Sequence, residues 1–446
     1  MTRTLIRGAT LVTMEPAHGE FIGDLLIEGE RIAEIAPHIN APDAAQIDAR
    51  GFIVAPGFIN AHMHTWQTAL RGVAAGWTLT GYFREMHAGL ATRFAPEDIH
   101  IATLVGAWNQ LDCGTTTLVD WCHNNPTPAH SDAALDALEQ SGIRAAFLHG
   151  SPKPDPKPGV APFWETPHPR GEVERLARRL QGSGLVSLGL AILGPHYSTM
   201  DVALHDFALA REFGLLASMH QGGGAARTPE GWERLEAAGL LGPHINIVHG
   251  NNLSDAQLAR FVDAGMSFSL TPENELTQGH GFPITGRLRK LGAMPSLGVD
   301  LESVLSGEMF IAARIALGVQ RALDHAAFRA QHGEIAAGHE VSCREALAWI
   351  TVAGARMLGM EDRIGSLAAG KQADLVLIDA RRPNMVPLHD PVSAVVMQAS
   401  LANIDSVFVA GVARKRHGRL LVDGLPAALD ALRASGERLL RTPAHA

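Results

Sequence analysis

Eight apolar, β-rich segments alternate with helical patterns through the middle of the chain, and this alternation constrains the fold more than any other feature. The apolar segments are residues 52–64, 115–121, 144–149, 185–195, 215–220, 245–250, 266–272 and 295–300. The helical patterns include residues 128–141, 171–180, 200–213, 229–238 and 254–264. Near-continuous hydrophobic runs are typical of parallel strands covered on both faces. A strand followed by a helix, repeated eight times, predicts an α/β fold, the (β/α)₈ TIM barrel.

The two chain ends have a different pattern, of short strands separated by turns. In the N-terminal part we predict strands at residues 4–6, 10–14, 25–28 and 31–35. In the C-terminal part we predict them at residues 375–379, 395–398 and 406–409. Neither end can bury a core alone, so we expect them to combine into one small β-sandwich. The predicted domains are a composite β-sandwich of residues 1–55 plus 366–446 and a catalytic barrel of residues 56–365.

Length and charge narrow the class of protein. A chain of 446 residues suits one barrel plus a smaller module. The net charge is −9, with no long run of one sign, which argues against nucleic acid or an anionic membrane as a partner. We find no signal peptide and no apolar stretch long enough to span a membrane. Cys113, Cys122 and Cys343 fit no disulfide or zinc framework, so we expect reduced thiols in a cytoplasmic protein.

His62 and His64 form the first candidate for a metal site. Side chains alternate along a strand, so these two histidines face the same side while Met63 faces the other. At the end of a barrel strand, that side is the barrel interior. Two neutral imidazoles held side by side there make half of a zinc-like site. The pattern alone is a weak signal, because two ordinary polar residues also produce it.

Three further residues at strand ends strengthen this interpretation. His220 ends the fifth predicted strand, His249 the sixth and Asp300 the eighth. The carboxyl ends of the strands form the rim on which barrel active sites are built. A single histidine at such a position is more often structural, but four histidines and an aspartate do not converge readily by chance. We therefore predict a metal site formed by His62, His64, His220, His249 and Asp300.

Several motifs across nearly the whole chain resemble the amidohydrolase superfamily, in its branch of cytosine-deaminase-like, adenosylhomocysteine-deaminase-like and triazine-hydrolase-like enzymes. The motifs are residues 56–64, 114–117 with Asp120, 194–196, 249–251, 298–300, 364–367 and 370–376, together with His220. The resemblance implies a metal-dependent barrel with a composite β-sandwich. It also implies a homo-oligomer and a contact between His196 and the substrate.

The predicted roles follow from the donor chemistry. Imidazoles and one carboxylate suit zinc, and also ferrous iron or manganese. Such an ion makes hydroxide available from bound water near neutral pH. We expect Asp300, with His249 beside it, to serve catalysis as well as the metal, since its carboxylate can take the proton of the attacking water. Dinuclear relatives use a carbamylated lysine after the fourth strand, and residues 192–197 contain none. One divalent ion is therefore expected.

Other residues near strand ends are candidates for substrate contacts. Trp66, Trp121 and His123 follow strand ends and can line an apolar pocket, although each can equally serve packing. Glu273 and Glu275 follow the seventh strand, where a carboxylate is often only solvated. The Pro-rich segment 151–168 is a long loop that either covers the barrel mouth or merely connects two elements. We expect its Lys153 and Lys157 to be solvated.

One position departs from the deaminase pattern. In the deaminases of this branch, a glutamate three residues after the fifth-strand histidine moves a proton to a ring nitrogen. This chain has Gly223 at that position. Loss of a general acid typically costs about 10²–10⁴ in rate. The departure argues against ring deamination and leaves the metal chemistry intact.

The leading hypothesis is therefore hydrolysis of a C–N bond in a small molecule, such as an amide, cyclic amide, urea, carbamate or N-substituted heterocycle, by attack of metal-bound hydroxide. The first alternative is deamination of a purine, pyrimidine or triazine, with Glu273 or Glu275 moving the proton. A second alternative is displacement of another leaving group, such as halide. A third is a non-catalytic scaffold on the same barrel, against which the five retained ligand candidates speak.

Overall fold

The computed structural model describes residues 3–441, and strands from both chain ends build a nine-stranded mixed sheet. Its strands are β1 (Arg3–Val12), β2 (Glu20–Glu28), β3 (Arg31–Ala36), β4 (Ala45–Asp48), β5 (Phe52–Pro56), β14 (Leu375–Asp379), β15 (Ile404–Val409), β16 (Val412–Arg416) and β17 (Arg419–Leu420). Strand β5 pairs with β1 on one side and with β14 on the other, which joins the two ends of the chain. Side chains from both ends, among them Leu25, Val54, Leu375 and Phe408, share one hydrophobic core.

The second sheet has eight parallel strands in sequence order and forms the barrel. They are β6 (Phe58–Met63), β7 (Thr115–Cys122), β8 (Arg144–Gly150), β9 (Val186–Ala191), β10 (Ala217–Gln221), β11 (Ile245–His249), β12 (Ser267–Leu270) and β13 (Ser296–Leu297). A parallel bridge between Met63 and Asp300 brings the last strand beside the first. A Cβ at Gly298 would overlap the backbone of His62, so glycine permits this close approach. The predicted TIM barrel is confirmed.

Helices cover the barrel and connect its strands. They are α1 (Leu79–Tyr82), α2 (Pro96–Asp112), α3 (Pro128–Ser141), α4 (Arg170–Arg179), α5 (Gly194–Tyr197), α6 (Met200–Glu212), α7 (Gly231–Ala237), α8 (Asp255–Asp263), α9 (Pro272–Gln278), α10 (Thr285–Lys290), α11 (Met309–His332), α12 (Cys343–Trp349), α13 (Val352–Met357), α14 (Pro391–Met397) and α15 (Leu425–Arg441). Short 3₁₀ or π turns occupy Thr65–Leu70, Phe83–His87, Leu90–Arg93, Phe163–Glu165 and Leu401–Asn403. None of the helices within residues 3–441 combines the length and the hydropathy needed to cross a membrane.

The structure corrects two features of the predicted strands. Residues 4–6 and 10–14, predicted as separate strands, largely form the single strand β1, which has a bulge between Ile6 and Ala9. Residues 395–398 were expected to be extended, but α14 covers most of them. Asp390 caps this helix by accepting hydrogen bonds from the backbone N–H groups of Val392 and Ser393, and Pro391 occupies its first turn. A capping side chain followed by proline is a helix start signal, and it outweighs the β-branched residues that follow. Cys113, Cys122 and Cys343 are free thiols, as expected.

Candidate metal centre and active site

Four predicted ligands meet at the carboxyl end of the barrel. His62 lies in β6 and His64 directly follows it, His220 lies in β10, and Asp300 follows β13. One donor atom from each lies within 4.8 Å of the others. The Nε2 atoms of His62 and His220 are 3.2 Å apart, and Asp300 Oδ1 is 3.4 Å from the Nε2 atoms of His62 and His64. The alternation along β6 thus brings both of its histidines to one point, as the sequence predicted.

This donor set fits a divalent metal ion. Ligand atoms about 2.0–2.1 Å from a tetrahedral zinc lie about 3.3 Å from one another, which is close to the spacings seen here. Burial lowers the pKa of all three histidines, and that of His64 to about 3, so the imidazoles are neutral at neutral pH and keep their lone pairs available. His64 Nδ1 donates a hydrogen bond to the Trp121 carbonyl at 2.6 Å. This leaves the lone pair of Nε2 free to bind a metal ion at the centre.

His249 lies at the edge of this group. Its Nε2 atom is 3.8 Å from Asp300 Oδ2, whereas the Nε2 atoms of His62 and His64 are 3.4 Å from Asp300 Oδ1. Behind it, Nδ1 donates to Glu275 Oε1 at 3.3 Å. Glu275 is fully buried and also accepts from the backbone N–H of Thr271 and from Asn251 Nδ2. A carboxylate behind a histidine is the usual partner of a metal-binding imidazole, because it fixes the ring orientation.

Asp300 is held from several directions. Its Oδ2 atom accepts from Asn274 Nδ2 at 2.7 Å and from Thr271 Oγ1 at 3.2 Å. Burial raises the pKa of Asp300, but the hydrogen bond with His62 and the neighbouring imidazoles outweigh it and bring the pKa below its ordinary value. Asp300 and His249 both have φ of 68°. Backbone strain of this kind in non-glycine residues clusters at functional sites.

The metal centre opens into a narrow cleft with about 30 Å³ of free interior volume. Its lining is aromatic and imidazole-rich, and consists of His64, Leu79, Tyr82, Phe83, His87, His123, Lys153, Tyr197, His220, His249, Asn274, Gln278, His280, Asp300 and Leu301. Such a lining suits the faces of a small planar molecule, and lining side chains must move to admit it, because the free volume holds only about two waters.

The predicted substrate residues are placed unevenly around this cleft. His123 lines it, whereas Trp121 lies beneath it, with its ring 4.3 Å from that of His220 and Nε1 donating to Ser218. Trp66 is fully buried outside the lining and packs against the His123 ring.

His196 and Glu273 also lie outside the cleft lining. His196 Nδ1 pairs with Gln221 Nε2 at 3.3 Å. Glu273 is half-buried on α9, and burial raises its pKa. Glu275 faces His249 rather than the cleft. Neither glutamate therefore lies where it could pass a proton directly to a molecule in the cleft.

The structure explains the glycine at position 223. Its φ is 82°, and a Cβ there would overlap Leu79 Cδ2. Leu79 thus fills the space beside β10 that a longer side chain at position 223 would need. The Tyr197 hydroxyl donates to the Gly222 carbonyl at 2.6 Å and fixes this glycine run.

The expectation that Lys153 is solvated is wrong. Lys153 is only 6% exposed, and its Nζ lies 5.4–5.7 Å from the ring centres of Phe83, Trp121 and Tyr197. Burial lowers its pKa to about 8, against the opposing effect of Asp300. Lys157, four residues later, is exposed as expected.

Several lining residues were not identified from the sequence. Asn274 and Gln278 lie four residues apart on α9, so helical periodicity from Pro272 would have placed both on one face. Phe83 and His87 belong to the π turn after α1, where the sequence shows no clear period. His280 follows α9 and packs against the His249 ring, with the ring centres 4.3 Å apart and the planes tilted by 47°.

Comparison with known proteins agrees with this geometry. The 8-oxoguanine deaminase of Pseudomonas aeruginosa is 31% identical, over 96% of each chain. A 5-methylthioadenosine/S-adenosylhomocysteine deaminase from Symbiobacterium thermophilum is 29% identical, over 92% of this chain and 93% of the relative.

Solved structures share the fold. A zinc-bound adenosine deaminase from Xanthomonas campestris superposes with a TM-score of 0.83 at 22% identity, over 99% of both chains. An atrazine chlorohydrolase from Arthrobacter aurescens TC1, complexed with zinc, gives 0.84 at 21% identity, over 97% of this chain and all of the other. The amidohydrolase family model matches residues 53–414. Since that match spans the barrel and well over half of the chain, the chain belongs to the amidohydrolase family.

Proposed function

We propose that this protein is a metal-dependent hydrolase that cleaves a C–N bond in a small molecule. The observation that carries the proposal is the convergence of His62, His64, His220 and Asp300 within 4.8 Å at the barrel rim. These residues, with His249 beside them, would hold one divalent ion. Zinc suits three imidazoles and a carboxylate, and ferrous iron and manganese are the alternatives.

The chain's own groups have separate roles in this proposal. The ion, when bound, makes water acidic enough to supply hydroxide near neutral pH. Asp300 takes the proton of the attacking water and passes it to the leaving nitrogen. Asn274 and Thr271 hold the Oδ2 atom of Asp300, so the carboxylate keeps one orientation. Glu275 positions His249 from behind.

The relatives favour an amino-heterocycle as substrate over an open-chain amide or urea. The purine deaminases among them remove an amino group from a planar ring, and the aromatic lining of the cleft suits such a ring. In this reaction water adds to the ring carbon, the C–N bond breaks, and the ring product and ammonia leave. Position 223 is glycine, so no side chain there can move the proton. Leu79 fills the space that such a side chain would need.

The test begins with metal content. Purified protein should hold about one zinc per chain, and His220→Ala should lose the metal and the activity together. Asp300→Asn keeps the side-chain size but cannot take a proton, so we expect a loss of at least about 10³-fold in kcat/KM. Two ions in fully active protein, or none, would contradict the single-ion site.

Ammonia release identifies the substrate class. The zinc-loaded protein should be assayed with aminopurines, aminopyrimidines and aminotriazines, and in parallel with cyclic amides and ureas. We expect release from a ring amine. Turnover confined to the amides and ureas would restore the hypothesis that the sequence favoured, and chloride release from a chlorinated triazine would identify the other leaving group.

Assembly and location complete the proposal. We propose a homo-oligomer, on the resemblance to the family alone, and a cytoplasmic location, on the free thiols of all three cysteines. Light scattering of the purified protein tests the first, since a monomer would contradict it.

A further inference from the structure

Lys153 is a buried cation without an anionic partner. Among residues 3–441, its ammonium makes no hydrogen bond and no salt bridge, and its Nζ lies 5.4–5.7 Å from the centres of three aromatic rings. The other buried basic side chains in this part of the chain differ. Arg144 pairs with Asp374 at 2.7 Å, and Lys415 pairs with Asp112 at 2.7 Å. Buried charges are normally paired, because an isolated one loses its hydration without compensation.

The aromatic rings only partly explain this position. Phe83, Trp121 and Tyr197 attract the ammonium through their ring faces, but they offer no acceptor for its three N–H donors. The Tyr197 hydroxyl is already bound to the Gly222 carbonyl. The ammonium borders the cleft, whose lining also includes His64, His123 and His220. Its unmet donors are therefore available to a molecule in the cleft.

The charges of the cleft indicate what that molecule carries. Apart from neutral imidazoles, Asp300 and Lys153 are the ionisable groups of opposite sign in the lining. A divalent ion with one hydroxide ligand would add one positive charge to this balanced pair. A substrate with one negative charge would make the loaded cleft neutral, whereas a cation would meet two positive centres.

We propose that Lys153 forms an anion subsite and that the substrate carries an anionic oxygen, either a carboxylate or an ionised ring oxygen, beside the C–N bond that is cleaved. This inference rests on the proposed function, because it places the subsite next to the metal centre. The loop of residues 151–168 then carries a specificity determinant. His149, at the end of β8, and His168 hold this loop in place through their ring nitrogens, 2.9 Å apart.

Two pairs of planar probes distinguish the two sources of charge. Nicotinate and nicotinamide differ in a carboxylate, while barbiturate, an enolate at neutral pH, differs from neutral uracil by one ring oxygen. Binding is measured by calorimetry with zinc-loaded and with metal-free protein. We expect the wild type to bind at least one anion about 10–100-fold more tightly than its neutral counterpart. Lys153→Met should abolish this preference, and Lys157→Met, in the same loop but exposed, should keep it.

A second measurement separates ligand binding from a structural role. A methionine side chain would pack among the same aromatic rings and carry no unpaired charge. Lys153→Met should therefore raise Tm, as is common when a functional residue is removed. A lower Tm would show that Lys153 serves packing. No anion preference in either pair, or a preference kept in Lys153→Met, overturns the proposal, as does an equal loss for anionic and neutral probes.

The zinc measurement separates the two proposals. Failure to bind zinc defeats the proposed function, while the anion preference is still read from the metal-free protein. A preference that depends on zinc and not on Lys153 would mean that the ion holds the anion, which also overturns the subsite.

Discussion

Two features of the structure, the backbone conformation and the packing of Leu79, exclude a side chain at Gly223. Its backbone lies in the left-handed region, and the space that a Cβ would need is filled by Leu79. The neighbouring Gly224 has φ of 104° but no heavy atom within 4 Å of a Cβ placed on it. A side chain at either position would therefore strain the backbone, but only a side chain at position 223 would also clash with Leu79.

This pair gives a matched stability experiment. Gly223→Ala and Gly224→Ala should both lower Tm, since alanine is strained at positive φ. We expect Gly223→Ala to cost about 1–3 kcal/mol more, because of overpacking against Leu79. Adding Leu79→Ala should recover most of that extra loss, as a double-mutant cycle in thermal unfolding would measure. Equal Tm values for the two glycine variants would contradict the clash.

At this scale, strand alternation and strand ends were sufficient to predict that His62, His64, His220 and Asp300 converge on one rim. Their role as metal ligands stays a prediction. Lys153 was misjudged because its burial depends on Phe83, Trp121 and Tyr197, which come from distant parts of the chain. A charged side chain in a Pro-rich loop has no local signal for such packing.

Helix α9 supports the metal centre from two sides. Asn274 holds Asp300, and Glu275 holds His249, so adjacent residues of one short helix orient two different candidate ligands. Pro272 begins this helix directly after β12 and turns the chain across the barrel rim. Glu273 and Glu275 were named from the sequence as candidate substrate contacts or proton carriers, but Asn274 and Gln278 were not, because the helical period was not extended from Pro272.

The two glutamates of α9 should respond differently to amidation. Glu275→Gln removes the charge behind His249, and we expect zinc affinity to fall about 10–100-fold. Glu273→Gln lies on the same helix outside the cleft lining, so it should leave zinc affinity unchanged. Competition with a chromogenic chelator measures both values. Equal affinities in the two variants would show that Glu275 does not act through the metal centre.

At the scale of the whole molecule, the alternation of strands and helices was sufficient to predict the barrel. The pairing of the two chain ends was also expected, and β5 lies between β1 and β14. The sequence could not give the strand order of the mixed sheet, since short strands with similar patterns can pair in many registers. The domain boundaries at residues 55 and 366 stay a prediction.

The closure of the barrel has a consequence for the dynamics of the chain. Strand β13 is two residues long, and the ring is completed by backbone hydrogen bonds from Asp300 to His62 and from His64 to Asp300. The side chains of the same three residues belong to the candidate metal centre. An ion bound there would cross-link the barrel junction that has the fewest paired residues, a single bridge between Met63 and Asp300.

Amide exchange should report this coupling directly. Removing zinc from the purified enzyme should increase deuterium uptake in peptides that cover residues 58–64 and 296–301. Without the bound ion, the junction between the first and last barrel strands should open locally more often. Peptides from β8, which pairs with β7 and β9 along its length, serve as the internal reference. If uptake rises equally in both regions, the ion stabilises the fold globally. If uptake rises only at the junction, the metal centre also stabilises the closure of the barrel between its first and last strands.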